Sequence, residues 1–147
     1  MGCLKLKLTV AYDGSRYKGW QVQKSGITVQ QRVEEALKRL FPSVERIHSS
    51  SRTDTGVHAR GMVAHVEIQK NEYRIGELKL RLALNAFLPD DVRVTEVKRV
   101  SKNFHARFDA TGKQYRYMIW NHPVSNPLKR QMAWHVPREL DFVRMQQ

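Results

Sequence analysis

The sequence contains a single cysteine, Cys3, among its 147 residues. One cysteine can form no internal disulfide and no cysteine-based zinc site, and this usage is typical of a reducing compartment such as the cytoplasm. The six histidines lack the spacing of metal ligands, so we expect no metal. An apolar run that could span a bilayer and a signal-peptide pattern are also missing, so we expect no membrane association.

Acidic residues are scarce relative to basic ones. The chain has 26 Lys and Arg against 14 Asp and Glu, which gives a formal net charge of +12. So large an excess in one domain indicates a polyanionic partner, with nucleic acid as the first candidate and an anionic membrane surface as the second. Hydrophobic residues make up 41% of the chain, which favours a globular domain with a sizeable core over a disordered tail.

Hydrophobic periodicity predicts six elements in the order strand, helix, strand, strand, helix, strand. We expect strands over residues 4–10, 44–51, 61–69 and 92–100, a helix from Thr28 that Pro42 stops, and a well-buried helix over 72–87. The apolar stripe of the second helix would contain Ile75, Leu78, Leu82 and Ala86, and Leu80, Leu84 and Phe87 would widen it. This order predicts an α+β, ferredoxin-like βαββαβ antiparallel sheet with both helices on one face. Segments 113–120 and 132–136 would extend it by one or two further strands.

The segment Arg52–Arg60 holds the most unusual acidic residue of the chain. It places Asp54 among two arginines and a histidine, on a turn in which Gly56 can take a positive φ. A nearby arginine favours the ionised carboxylate, and an ionised, oriented aspartate can act as a nucleophile, a base or an electrostatic stabiliser. These nine residues alone fit a solvated surface loop with a weak Arg/Asp pair equally well.

Two loops, around residues 15–26 and 101–112, interleave aromatic and basic side chains. The pattern suits base stacking combined with phosphate contact. For Trp20 we favour the alternative that it pins its loop to the core, and we interpret His65 as an ordinary strand residue. Tyr117 is expected in the core, whereas Tyr115 is left open. Four basic residues are predicted phosphate contacts on the basis of charge and loop position: Arg16, Arg60, Arg107 and Lys113.

The chain resembles the TruA family of tRNA pseudouridine synthases from near its first strand to its last residues. The resemblance rests on specific motifs in the family's order: Ala11-Tyr12-Asp13-Gly14, Gly19-Trp20-Gln21, Thr28-Val29-Gln30, Arg52-Thr53-Asp54-Thr55-Gly56-Val57-His58-Ala59, Asn85-Ala86-Phe87-Leu88-Pro89, Phe104-His105-Ala106-Arg107 and Lys113-x-Tyr115-x-Tyr117. It covers about half of the usual family length. The resemblance therefore implies that residues 1–147 are the N-terminal catalytic and RNA-binding domain, with the C-terminal domain absent from the chain.

The resemblance also implies a reaction and its residues. The family isomerises uridine to pseudouridine in the anticodon arm of tRNA, as a cytoplasmic homodimer and without a cofactor or metal. Asp54 matches the catalytic aspartate, and Arg52 the arginine that pairs with it and helps hold the flipped nucleotide. Tyr115 matches the aromatic residue that stacks on the flipped uracil.

Two alternatives compete with a synthase. A basic ferredoxin-like domain could bind tRNA as a catalytically incomplete module, although such a module has no use for Asp54 among phosphates. Asp54-Thr55-Gly56 is also the signature of an aspartic protease half. In such a protease two aspartates share one proton. The basic residues around Asp54 favour its ionised form instead, which disfavours this second alternative.

Overall fold

The structure, a computed structural model, describes residues 2–147. The chain forms two compact units, the first ending at Thr111 and the second running from Gly112 to Gln147. The first contains β1 (Cys3–Tyr12), α1 (Val29–Leu40), β2 (His48–Ser49), β3 (Ala59–Gln69), α2 (Glu77–Phe87) and β4 (Val92–Val100), with a short 3-10 turn at Gly14–Arg16. The second contains β5 (Ile119–Asn121), β6 (Trp134–Val136) and α3 (Phe142–Met145).

The first unit confirms the ferredoxin-like prediction. Its four strands lie in the order β2-β3-β1-β4, and every neighbouring pair is antiparallel. One face of the sheet packs on the two helices, so alternate residues of β1 are buried. These residues are Leu4, Leu6, Leu8 and Val10. The helix α1 begins after Thr28, whose hydroxyl accepts the amide of Gln31 at 3.4 Å, as predicted.

A β-bulge accounts for the uneven spacing of the valines in β4. Thr9 of β1 pairs with Glu96, but the next residue, Val10, pairs with Val94. The additional residue changes which face the following side chains occupy, so that Val94 and Val97 both face the core although they lie three positions apart. The bulge thus keeps Val92, Val94 and Val97 of β4 buried, and only the last valine, Val100, is partly exposed.

The strand predicted over 44–51 is wrong in its extent, because β2 contains only His48 and Ser49. Ile47 is buried, but its amide donates to the Glu34 carboxylate at 3.0 Å and its carbonyl accepts from the Gln30 side chain at 3.4 Å. Side chains of α1 therefore satisfy a backbone that we expected to pair with β3.

The apolar stripe predicted for the second helix is too wide. Leu80 and Leu84 are fully buried, whereas Leu78 and Leu82 are both 62% exposed. The helix begins at Glu77 rather than 72, because residues 70–72 form a turn after β3. The carboxylate of Glu72 is used there to accept the Ser43 hydroxyl, in the segment after α1, at 2.6 Å. Packing on β4 selects one of two leucine stripes that the sequence offers equally.

The second unit has less regular structure than predicted. Of the expected strand 113–120, only Ile119 and Trp120 lie in a strand, and β5 then continues to Asn121. It pairs in parallel with Trp134–Val136 as a separate two-stranded sheet. Tyr117 is 89% exposed, so its predicted core position is wrong. Residues 113–118 are not in a strand, and nothing buries alternate side chains there. No helix within residues 2–147 is long and apolar enough to cross a membrane.

Because of His65, we predict that the fold becomes less stable at acidic pH. It is only 3% exposed, its Nδ1 accepts the amide of Ala106 at 3.0 Å, and burial lowers its pKa to about 4. Because the folded pKa lies below the unfolded value, unfolding binds a proton, and stability falls as pH drops from about 6.5 towards 4. We expect chemical denaturation of the wild type to show an additional slope approaching about 1.4 kcal/mol per pH unit there.

The variant His65→Gln keeps an acceptor for the Ala106 amide but cannot titrate. The difference in unfolding free energy between the two proteins should therefore change with pH within that window and be constant above it. Parallel curves for wild type and variant would contradict this origin of the acid sensitivity.

Candidate active site

The loop that carries Asp54 connects β2 to β3 and turns sharply at its centre. The carbonyl of Asp54 accepts the amide of Val57 at 3.1 Å, which closes a four-residue turn. Gly56, the third residue of the turn, has a φ of +79°, as expected of a type II turn. Other residues adopt this conformation only with strain, so the predicted role of Gly56 is confirmed.

The segment after β1 holds the first half of this loop. The Tyr12 hydroxyl lies 2.7 Å from Thr53 Oγ1, and the amide of Trp20 donates to the Thr53 carbonyl at 3.0 Å. Gly19 has a φ of +82°, and a Cβ there would lie 2.4 Å from the same carbonyl oxygen. Trp20 is buried, which confirms that it pins its loop to the core.

The second half of the loop is held by the residues around Gly14. A Cβ on Gly14 would lie 2.0 Å from the carbonyl oxygen of Val57, so only glycine permits this approach. The amide of Gly14 donates to Nδ1 of His58 at 3.0 Å, and the same nitrogen lies 3.0 Å from Asp13 Oδ1. Hydrogen bonds from the Ser15 hydroxyl and amide lower the pKa of Asp13, which keeps this carboxylate ionised beside His58.

The loop presents its charged side chains to solvent. Arg52, Asp54 and Arg60 are all exposed. Within residues 2–147, the Asp54 carboxylate has no cationic partner within 4.0 Å, so the pairing with Arg52 that the resemblance implies is not made in the free protein. The result is an exposed carboxylate on a fixed backbone, open to a ligand and flanked in sequence by two guanidinium groups.

The Arg16 guanidinium is paired with another side chain of the protein and is not free for a ligand. Its guanidinium donates to Asp91 Oδ2 from Nη2 at 2.6 Å and from Nε at 3.0 Å, and the Tyr17 hydroxyl donates to the other oxygen of Asp91 at 2.6 Å. Burial would raise the pKa of Asp91, but the bonds from Tyr17 and Arg16 outweigh it and the pKa is lowered. A phosphate contact by Arg16 would therefore have to compete with Asp91.

The remaining predicted residues lie elsewhere in the chain. Arg107 is exposed on the segment that follows β4, in the first unit. Lys113 and Tyr115 belong to the second unit, in a stretch without helix or strand, and Tyr115 is 62% exposed. The Arg52–Arg60 loop thus brings together three of the predicted site residues: Arg52, Asp54 and Arg60. A group of three His, Cys, Asp or Glu side chains that could hold a metal ion does not occur in the described chain.

Sequence reasoning missed the residues that hold the loop. Asp13, Thr53 and His58 were visible only as parts of motifs, without a role. The partners that hold the loop lie 33 to 45 positions away, beyond any local periodicity. The glycines at 14 and 19 were the available signal, since a glycine beside a tight turn often marks a close backbone approach.

The family comparison covers most of the first unit. The family model described as tRNA pseudouridine synthase matches residues 8–109, from the middle of β1 to beyond β4, and this range includes the Asp54 loop. This match covers more than half of the chain. The chain therefore belongs to the tRNA pseudouridine synthase family.

Three similar curated proteins are each named tRNA pseudouridine synthase A. The chain is 47% identical to tRNA pseudouridine synthase A of Akkermansia muciniphila, with 90% of this chain and 50% of the relative covered. It is 47% identical to the protein of that name in Solidesulfovibrio magneticus, with 97% and 53% covered. The relative in Pelobacter propionicus is 45% identical, with 96% and 57% covered. The chain thus spans about half the length of the curated relatives that it matches.

Proposed function

We propose that the protein isomerises uridine to pseudouridine in the anticodon arm of tRNA, with Asp54 as the catalytic aspartate. The observation that carries this proposal is the exposed Asp54 carboxylate on a loop whose backbone is fixed at Thr53, Gly56 and Val57. Membership of the tRNA pseudouridine synthase family supplies the reaction class and the substrate. The net charge of +12 suits a nucleic acid.

The proposed chemistry needs a uridine that has left the base stack, since its reacting atoms are inaccessible inside a helix. The bond from N1 to C1′ breaks and C5 forms a new bond to C1′. C5 loses its proton, N1 gains one, and any bond formed to Asp54 breaks again, so the product is an isomer of the substrate. Asp54 attacks either C1′ or the base ring, and Arg52 holds the flipped nucleotide and pairs with Asp54 once RNA is bound. Tyr115 stacks on the uracil and assists the loss of the C5 proton. No cofactor enters these steps.

The finer assignments come from the family resemblance. The protein would act in the cytoplasm as a homodimer, and residues 1–147 would form the catalytic and RNA-binding domain of a TruA-like synthase. The single cysteine agrees with a reducing compartment. Arg16, Arg60, Arg107 and Lys113 would contact phosphates, of which Arg16 must first exchange Asp91 for RNA.

The competing proposal is a module that binds tRNA without modifying it. It would explain the charge and the exposed basic side chains, but it gives no role to a carboxylate held next to them. An anionic group in an RNA-binding surface repels phosphates, so its fixed position favours chemistry over binding alone.

Mapping the modified base in a tRNA transcript tests the proposal. The chain should convert uridine to pseudouridine at positions confined to the anticodon arm, as located by reverse transcription after chemical tagging of pseudouridine. Conversion outside the anticodon arm would contradict the proposed substrate. Binding without conversion anywhere would establish the module instead.

Arg60 should contribute to the salt dependence of tRNA binding. It is an exposed residue at the start of β3, beside the Asp54 loop. Arg60→Gln should reduce the slope of log K against log salt concentration by about 0.7–0.9, the value for one lost phosphate contact. Fluorescence anisotropy with a labelled tRNA, over a series of salt concentrations, measures this slope.

Arg74→Gln is the matched control. Arg74 is also an exposed arginine, but it follows the opposite end of β3, and its Nε donates to the carbonyl of Asn71 at 3.3 Å. Its slope should equal that of the wild type. Equal slopes for all three proteins would remove Arg60 from the RNA contact surface.

A further inference from the structure

The segment Ser101–Asp109, which follows β4, is anchored on the face of the sheet that the helices leave open. Lys5 of β1 is 8% exposed, and its Nζ donates to the carbonyl oxygens of Lys102 at 2.8 Å and Phe104 at 2.9 Å. The same ammonium lies 3.3 Å from the Glu67 carboxylate. A buried cation with three oxygen partners fixes the first half of this segment to β1.

The second half is fixed just as firmly. The amide of Ala106 donates to His65 Nδ1 in β3 at 3.0 Å. Asp109 closes the segment on itself, since its carboxylate accepts the amide of His105 at 2.7 Å and its own amide donates to the His105 carbonyl at 2.9 Å. The side chains at its tip are therefore carried on a pre-organised backbone.

Two aromatic rings extend outwards from this anchored backbone. His105 meets His65 edge-on, with ring centroids 4.7 Å apart, and Phe108 stacks on His105 with centroids 4.2 Å apart and an angle of 28° between the planes. Phe108 is nevertheless 76% exposed, the most exposed large hydrophobic side chain in the described part of the first unit. We call this pair the His105–Phe108 platform.

The platform lies apart from Asp54. His65, beneath it, is six residues along β3 from Ala59, which follows the Asp54 loop, and this separation corresponds to roughly 20 Å of strand. An RNA that reaches Asp54 and continues along the open face of the sheet could meet the platform with a different nucleotide.

The geometry points to an RNA ligand: we propose that one unpaired nucleobase stacks on the exposed ring of Phe108, with its backbone near the exposed cations of Lys102 and Arg107. A fixed, exposed aromatic ring offers a stacking surface to any base, and neighbouring cations suit the phosphates. The charge of +12 favours a nucleic acid over an apolar protein surface as the occupant. This inference rests on the proposed RNA-binding function and adds a second contact to it.

Binding of a short RNA tests the platform without requiring catalysis. The probes are an oligouridylate of about ten nucleotides, within the usual site size, and an oligomer of equal length that lacks bases. Phe108→Ala should weaken binding of the oligouridylate roughly 5- to 150-fold, the effect of losing one base–aromatic stack, and should leave binding of the abasic oligomer unchanged. Phe108→Trp should retain the affinity of the wild type, which excludes a general folding defect.

Phe87→Ala provides the matched control. Phe87 is also an exposed phenylalanine of the first unit, 42% accessible, but it ends α2 and lies under the guanidinium of Arg39. Its variant should bind both probes as the wild type does. Unchanged oligouridylate binding by Phe108→Ala, or an equal loss for both probes, would overturn the platform.

The same experiment separates this inference from the proposed function. If the wild type binds and modifies tRNA but Phe108→Ala binds the oligouridylate as tightly as the wild type does, only the platform is wrong. Failure of the wild type to bind either oligomer or tRNA would overturn both proposals.

Discussion

Asp54→Asn should lower the single-turnover rate of pseudouridine formation by a factor of roughly 10² to 10⁴. This is the usual range for the loss of a group that acts in the transition state. The asparagine is nearly isosteric, and the Asp54 side chain makes no ion pair with the described protein that its loss would break. The loop is held through backbone atoms of Thr53, Asp54 and Gly56, which the substitution leaves in place. Binding of tRNA should therefore stay within about twofold of the wild type, since the asparagine keeps an oxygen that can accept from Arg52 and the main loss falls on the transition state.

A control variant shows whether the effect depends on the position of the carboxylate. Asp90→Asn removes the same charge from a fully exposed side chain whose one ion pair within residues 2–147 is with Arg93, at 2.7 Å. It should leave both rate and affinity unchanged. An Asp54→Asn variant as fast as Asp90→Asn would exclude Asp54 from the chemistry.

Gly14→Ala should destabilise the first unit and misplace the Asp54 loop. The new methyl group would lie 2.0 Å from the carbonyl oxygen of Val57, and both partners are backbone, so neither can rotate away. The segments must separate, which also removes the bond from the Gly14 amide to His58. We expect a loss of about 1–3 kcal/mol in the free energy of unfolding, the usual cost of forcing a methyl group into a packed site, measured by urea denaturation.

Gly112→Ala is the control for this glycine effect. Nothing lies within 4 Å of a Cβ at Gly112, so the same chemical change should be neutral or slightly stabilising. Pseudouridine formation should fall with Gly14→Ala and stay normal with Gly112→Ala. Equal urea midpoints for the two variants would show that the loop does not need the close approach of Gly14 to Val57.

Local patterns predicted the fold wherever one face of an element was plainly apolar. The alternation of β1 and the capped, one-faced helix α1 left a single way to bury Leu6 or Val33. The prediction failed where two faces competed. In α2, leucines at every second position gave a helix two stripes, and contact with β4 decides that Leu80 is inside and Leu82 outside. Such a choice depends on neighbours that lie far away in the chain.

The candidate site shows the same division. The motif around Asp54 predicted a tight turn because Gly56 is the residue that a positive φ requires. It could not predict that Tyr12, Gly14 and Trp20 hold the loop in place, since those contacts join segments about forty residues apart. For Arg16, its charge predicted a phosphate contact. In the folded protein, however, its guanidinium is bonded to Asp91, which is 75 residues away in the chain.

The most direct test of the central claim is the release of tritium from a tRNA transcript labelled at C5 of uridine, measured with this chain and with Asp54→Ala as the blank. Pseudouridine formation expels the C5 hydrogen, so each turnover releases one label. We predict release by the wild type in proportion to time and protein, and none by Asp54→Ala. A wild type that binds the tRNA without releasing tritium, or an Asp54→Ala variant that releases it at the same rate, would contradict the claim.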